Sequence, residues 1–118
     1  MRMMKLLIVD DDRDMAESLA EALELREYQV DVAFTGKAGV AAAKNGDYDA
    51  VLMDFRLPDL TGIEGLLEII KAKPAIRCFL ITGDCRAQCD EQEWGIEGLE
   101  ILTKPFDPRD LLQRLTAD

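Results

Sequence analysis

The chain has 118 residues, 48% of them hydrophobic, which suits one domain around one core and is too short for two. Its net charge of −10 repels nucleic-acid phosphate and argues against direct nucleic acid binding by this domain. No apolar run approaches the roughly 20 residues of a membrane span, the N-terminus lacks a signal-peptide core, and the complete lack of histidine removes Ser-His-Asp and Cys-His nucleophile systems, so a cytoplasmic, non-membrane protein is expected.

Lys5 to Val9 reads as a buried strand that runs directly into Asp10, Asp11 and Asp12. Met15, Leu19 and Leu23 then recur every four residues, which predicts one face of a helix over Arg13 to Arg26, with Glu17, Glu21 and Glu24 outward. Asp12 or Asp14 would cap it. Val30 to Phe34 alternates in part, as a sheet-edge strand should, and Thr35-Gly36 opens a short alanine-rich helix that ends at Asn45-Gly46 and reads as structural only.

Ala50 to Met53 is uninterruptedly apolar, the pattern of a parallel strand covered on both faces. Asp54 follows where burial is expected to stop, and Pro58, Asp59 and Gly62 predict a sharp turn that presents its carboxylate at a loop mouth. Thr61 and Glu64 have capping-box spacing, and Ile63, Leu66, Leu67 and Ile70 are the expected core stripe of the next helix. Pro74 ends that helix, and Ile76 to Ile81 is a further strand that finishes in Thr82-Gly83. Cys85 to Gly95 carries little apolar periodicity and predicts a weak helix. Cys78, Cys85 and Cys89 are expected as free thiols, because the i, i+4 pair Cys85 and Cys89 lacks the other ligands a zinc site needs. Leu99 to Leu102 is a short strand leading to Lys104-Pro105-Phe106. Asp107 would cap a last helix that has Pro108 at its first position, Phe106 stapled onto Leu111, and Leu111, Leu112 and Leu115 inward. Strands and helices thus alternate five times, giving a doubly wound α/β fold in which residues 1–118 form one unit.

In an open parallel sheet the functional crevice lies beyond the carboxyl ends of the strands. Asp10 and Asp11, Asp54, Thr82 and Lys104 all follow strand ends and should meet at one edge. Converging carboxylates raise one another's pKa unless a cation neutralises them, and an all-oxygen site suits Mg²⁺. With a hydroxyl from Thr82 and the ammonium of Lys104, such a site can hold a transferring phosphoryl group while Asp54 attacks phosphorus.

With these motifs in this order, the chain resembles the receiver domain of bacterial two-component response regulators. Asp10-Asp11 is similar to its acidic pair, Asp54 with Pro58 and Gly62 to its phosphoacceptor loop, Thr82-Gly83 to its hydroxyl-bearing tip, and Lys104-Pro105-Phe106 to its Lys-Pro-Phe motif. The resemblance implies a flavodoxin-like (βα)5 fold with strand order 2-1-3-4-5 and a cis Lys104-Pro105 peptide. Asp54 would be the phosphoacceptor, with Thr82 and Lys104 on the phosphoryl oxygens. Mg²⁺ would be held by Asp10, Asp11, Asp54 and the backbone carbonyl of Arg56. It further implies a sensor histidine kinase or histidine phosphotransfer protein as donor, self-catalysed phosphorylation and dephosphorylation in place of ordinary enzyme turnover, and a switching surface over residues 84–106. A fused or separate output domain and a homodimer stay open.

Three departures stand out, the plainest being Thr61, which replaces the usual Asp or Asn before the turn glycine and makes the capping box. Asp12 adds a third acid, favoured as the cap of the first helix, and Ile101 stands where many receivers carry a switch Tyr or Phe. Two other classes compete. A haloacid-dehalogenase-like phosphohydrolase would use Asp10-x-Asp12, although 118 residues leave no room for its usual cap. A receiver serving only as a docking module would not need the full acid, threonine and lysine set.

Overall fold

A computed structural model of the chain describes residues 4–83 and 95–116. Its strands are β1 (Lys5–Val9), β2 (Gln29–Ala33), β3 (Ala50–Asp54), β4 (Arg77–Thr82) and β5 (Glu100–Thr103). Its helices, among the described residues, are α1 (Arg13–Glu24), α2 (Gly36–Asn45), α3 (Gly62–Ala72) and α4 (Pro108–Thr116). The strands form one parallel sheet in the order β2-β1-β3-β4-β5, the expected doubly wound arrangement. The weak helix expected over Cys85 to Gly95, with Cys85 and Cys89, falls on residues 84–94 and so lies outside the described residues, apart from Gly95.

Successive side chains of a strand point to opposite faces, so each central strand feeds two cores. Leu6, Ile8, Leu52, Phe79 and Ile81 pack on one face beneath α1 and α4. Leu7, Val9, Val51, Met53 and Leu80 pack on the other beneath α2 and α3. The edge strand β2 alternates between exposed and partly buried residues until Ala33, in line with its predicted position. Covering both faces in this way is what allows the apolar runs of β1, β3 and β4 to lie in water-free surroundings.

The helix starts follow from side-chain caps. Asp12 caps α1, its carboxylate accepting from Met15 N at 3.2 Å, which decides between Asp12 and Asp14. Thr61 and Glu64 close the predicted capping box on α3. Asp107 accepts from Arg109 N at 2.9 Å at the start of α4, where Leu111 and Leu115 are buried. Helix α1 stops at Glu24, two residues before its predicted end, and the backbone turns over through Glu27 at φ 71°.

The stripe expected on α3 holds at Leu66, which is buried, and at Ile63 and Ile70, which pack partly buried against the core, and is corrected at Leu67. Gly62, Gly65, Leu66 and Ile69 face inward, whereas Leu67 is 39% exposed. The spacing is still i, i+3, i+4, i+7, but two of its places are glycines, which an apolar count passes over. They are glycines because the helix lies close to β3: a Cβ on Gly62 would come within 2.4 Å of the Asp54 carbonyl oxygen, and one on Gly65 within 3.1 Å of Met53 Cε.

Gly39 of α2 is seated in the same manner against Val9. A Cβ there would lie 2.5 Å and 2.7 Å from the two Val9 methyls, and Val9 is fully buried in β1. Alanine improves helix propensity by about 1 kcal/mol, yet crowding a packed core costs about 1–3 kcal/mol. Because β-branched Val9 has no spare rotamer in a buried strand, crowding wins. Gly39→Ala is expected to lower stability by about 1 kcal/mol net, within the range of overpacking. Urea denaturation checks this, and a midpoint at or above that of the parent would contradict it.

Candidate functional site

The parallel register brings the polar strand ends together. Val9 pairs with Met53, Asp54 with Ile81, and Thr82 with Thr103, so the residues at and just beyond these positions leave the sheet on one side. Backbone hydrogen bonds extend the pattern past the strands: Asp10 N donates to Ala33 O at 3.1 Å and Lys104 N to Thr82 O at 2.8 Å. The peptide that follows, Lys104-Pro105, is cis.

Three of the expected acids converge. Asp10, Asp11 and Asp54 each offer a carboxylate oxygen within 4.8 Å of the others. Their environments differ in a manner that spacing alone does not disclose. Asp11 is exposed, whereas Asp10 and Asp54 are buried at 3% and 7% exposure. The Asp10 carboxylate accepts from Asp12 N at 3.0 Å and from Lys104 Nζ at 3.3 Å. The same ammonium stands 3.6 Å from Asp54 Oδ2, so one lysine faces two buried carboxylates.

Asp54 is the last buried residue of its run, followed by half-buried Phe55 and exposed Arg56, and its own carboxylate lies on the buried side of that boundary. It is the last residue of β3 and paired with β4, which runs on to Thr82 and extends the cover over it. Burial is the first cause that pushes its pKa up to about 6, and the charge of Asp10 is the second. Lys104 opposes the rise, a hydrogen bond with Asp10 adds to it, and the Arg56 backbone N–H opposes it. The Thr82 side chain is buried beside this group, and Asp54, Phe55, Arg56, Thr82, Gly83 and Lys104 line one crevice. An all-oxygen set of this kind, with more negative than positive charge, has the chemistry to hold one hard divalent cation.

The loop after β3 is tied more firmly than its turn residues suggest. Arg56 and Thr61 form an isolated antiparallel bridge, and Gly62 N donates to Phe55 O at 2.8 Å, so the chain doubles back immediately beyond Asp54. Asp59 is no mere turn former: its two oxygens accept from Gly36 N and Lys37 N, each at 2.8 Å. Those partners lie 22 and 23 residues upstream, and no local motif signals such a contact.

Residues 6–116 match the family described as the response regulator receiver domain. The response regulator ArlR of Staphylococcus saprophyticus is 32% identical over 117 residues, which is 98% of this chain and 52% of that protein. A CheY-like receiver domain protein from Methanospirillum hungatei superposes with a TM-score of 0.84 at 31% identity, covering 97% of this chain and 91% of that one. The response regulator TrrA of Thermotoga maritima, solved in complex with Mg(2+)-BeF, superposes with a TM-score of 0.85 at 29% identity over 96% of both chains. The chain spans about half the length of the curated relatives it matches.

Order 2-1-3-4-5 is the flavodoxin-like arrangement, and the family match and the receiver-domain relatives do not favour the phosphohydrolase alternative. The chain belongs to the response regulator receiver domain family, and with it to two-component phosphorelay signalling.

The raised pKa of Asp54 has a consequence for stability. An ordinary Asp titrates near 3.8 and the folded carboxyl at about 6, so the folded protein holds a proton that the unfolded chain has lost between these values. Below pH 3.8 the group has no effect, stability falls as pH rises through the window, and the full penalty is present above 6. In Mg²⁺-free buffer, Asp54→Asn is expected to be more stable than the parent at pH 7.5 by on the order of 2 kcal/mol, with the gain vanishing near pH 3.5. Paired denaturant titrations at the two pH values test it, and a gain independent of pH would refute the assigned cause.

Proposed function

We propose that residues 1–118 act as one receiver unit in which Asp54 takes a phosphoryl group from a sensor histidine kinase or a histidine phosphotransfer protein. The observation that carries this reading is the convergence of Asp10, Asp11 and Asp54 opposite Lys104 at the edge where Thr82 is buried. In the step itself an oxygen of Asp54 forms a bond to phosphorus as the bond to the donor imidazole nitrogen breaks, and the acyl phosphate is left on β3. Because the carboxyl titrates near 6, it is ionised and nucleophilic at neutral pH.

Asp10, Asp11, Asp54 and the backbone carbonyl of Arg56 would hold Mg²⁺, with Asp11 as a direct ligand and Asp10 acting largely through water. The ion, when bound, neutralises the acids and the charge on the phosphoryl oxygens. Lys104 moves from pairing with Asp10 toward the incoming phosphoryl oxygen, and the Thr82 hydroxyl donates to another. Hydrolysis returns Asp54 to its free carboxylate, so phosphorylation and dephosphorylation of itself is the only chemistry this unit performs. Output passes through residues 84–106, of which 84–94 lie outside the described residues, either to a fused or separate output domain or through a homodimer. The relatives' greater length is in keeping with a fused domain. The setting is the cytoplasm; among the described residues, no helix is long and apolar enough to cross a membrane. A role in docking alone would leave the buried acids and Lys104 without a task.

Two measurements examine this. Incubated with acetyl phosphate and Mg²⁺, the parent should gain one phosphoryl group by intact mass and Asp54→Asn none; an adduct on the variant would overturn the assignment. Asp11→Ala should weaken Mg²⁺ binding at least about tenfold, since loss of one charged oxygen ligand leaves an incomplete octahedral site. Calorimetry showing parental affinity would remove Asp11 from the ligand set.

A further inference from the structure

The Arg56 carbonyl sits on a loop, and a loop carbonyl is a useful ligand only if the loop is held still. The ends of the 55–61 segment are pinned by Phe55 N donating to Ile81 O at 2.8 Å and by the Arg56–Thr61 bridge. Its tip has a different anchor. Asp59 Oδ1 accepts from Gly36 N and Asp59 Oδ2 from Lys37 N, both at 2.8 Å, so the carboxylate straddles the first turn of α2. These N–H groups have no partner within the helix and lie at its positive end, where a charged acceptor binds best. They hold its pKa below the usual range, with the Lys37 N–H as the largest cause.

Helix α2 does not need Asp59 as an ordinary cap. Thr35 already fills that place, accepting from Ala38 N at 3.1 Å. The chain has also been shaped to let the loop approach: a Cβ on Gly36 would lie 2.4 Å from Leu60 Cδ1 and 3.0 Å from Asp59 Oδ1. Leu60 in turn reaches across to α3, where a Cβ on Gly65 would meet the same Cδ1 at 3.2 Å. The loop tip is thus wedged between two helices by Leu60 and fixed to one of them by Asp59.

We propose that Asp59 is a positioning residue of the phosphorylation site: by bridging the loop to the start of α2, it holds the Arg56 carbonyl in register with the carboxylates of Asp11 and Asp54. The inference rests on the reading of Arg56 as a ligand given above. Asp59 touches none of the reacting groups and acts through the backbone of the two intervening residues, Leu57 and Pro58. A plain helix cap affects only the helix it caps, whereas loss of this contact releases the loop.

Thr35→Ala separates the two roles, because it removes a cap from the same helix end and leaves the Asp59 contacts in place. Mg²⁺ affinity is measured by calorimetry for the parent, Asp59→Ala, Asp59→Asn and Thr35→Ala, with thermal unfolding recorded for each. Asp59→Ala is expected to bind Mg²⁺ about tenfold more weakly, at the lower end of what loss of an outer support costs a metal site. Asp59→Asn keeps one acceptor oxygen and should fall between, while Thr35→Ala should lower the unfolding temperature yet keep parental affinity. Parental affinity in Asp59→Ala overturns the proposal, as does an equal loss in Thr35→Ala. Should Asp59→Ala not fold, Asp59→Asn decides, with parental affinity counting against. If Asp11→Ala binds Mg²⁺ as the parent does, the metal reading itself falls and the role of Asp59 with it; if Asp11→Ala loses binding and Asp59→Ala does not, only the role of Asp59 falls.

Discussion

Two buried carboxylates facing one ammonium are the constraint to which the rest of the molecule answers. At an effective dielectric near 20, two like charges about 4 Å apart repel by about 4 kcal/mol, and burial adds a further cost to each ionised group. Asp10 and Asp54 are in that position, and Lys104 offsets only part of it, which is why Asp54 holds its proton to about pH 6. An arrangement of this kind survives only if the backbone leaves no alternative. Here it leaves none: Asp54 is fixed within β3 by pairing with Ile81, and Asp10 and Lys104 are held by backbone bonds one residue past their own strands.

The surrounding packing carries that fixity outward. The first turn of α3 rests on the Asp54 carbonyl at a distance only glycine permits, and the loop between them is closed by the Arg56–Thr61 bridge. On the far side, α2 is held to the same loop through Asp59 and to β1 through Gly39. Gly36, Gly39, Gly62 and Gly65 therefore act as contact points, each letting a helix approach a strand or the loop beside the acidic cluster. Strain at the acidic cluster cannot be relieved by sliding one element, because interiors packed to this density move between discrete arrangements and do not deform continuously.

How much of this was legible in the sequence depends on the range of the interaction concerned. The polar tips could be placed because apolar runs ending in Asp, Thr or Lys imply a common sheet edge once the strands are parallel. The caps at Asp12, Thr61 and Asp107 were legible because their partners lie two or three residues away. Burial of Asp54 was not, since it depends on how far the neighbouring β4 extends. Ile63, Leu66 and Ile70 were placed on the core side of α3, but Leu67 was misassigned because Gly62 and Gly65 pack by their smallness, which hydrophobic periodicity does not count. Asp59 was read as turn chemistry because nothing within its own loop identifies Gly36 and Lys37 as partners.

Ile101 narrows the ways in which an event at Asp54 can be felt elsewhere. It sits half-buried in β5, paired with Leu80 and packed against the cluster that holds Ile96 and Leu99. A β-branched chain has few rotamers and a short reach, so it cannot sweep between buried and exposed positions as a ring does. The connection that remains is the backbone. Thr82 pairs with Thr103, and its carbonyl accepts from Lys104 N at 2.8 Å, so displacement at the end of β4 bears directly on the end of β5. Beyond Lys104 come Pro105, then Phe106 against the core under α4, and then the Asp107 cap. A charge added at Asp54 shifts a balance of states only through contacts that differ between them. On the proposed phosphorylation of Asp54, the contacts that would differ are those of Lys104 and Thr82, which the β4–β5 backbone ladder joins.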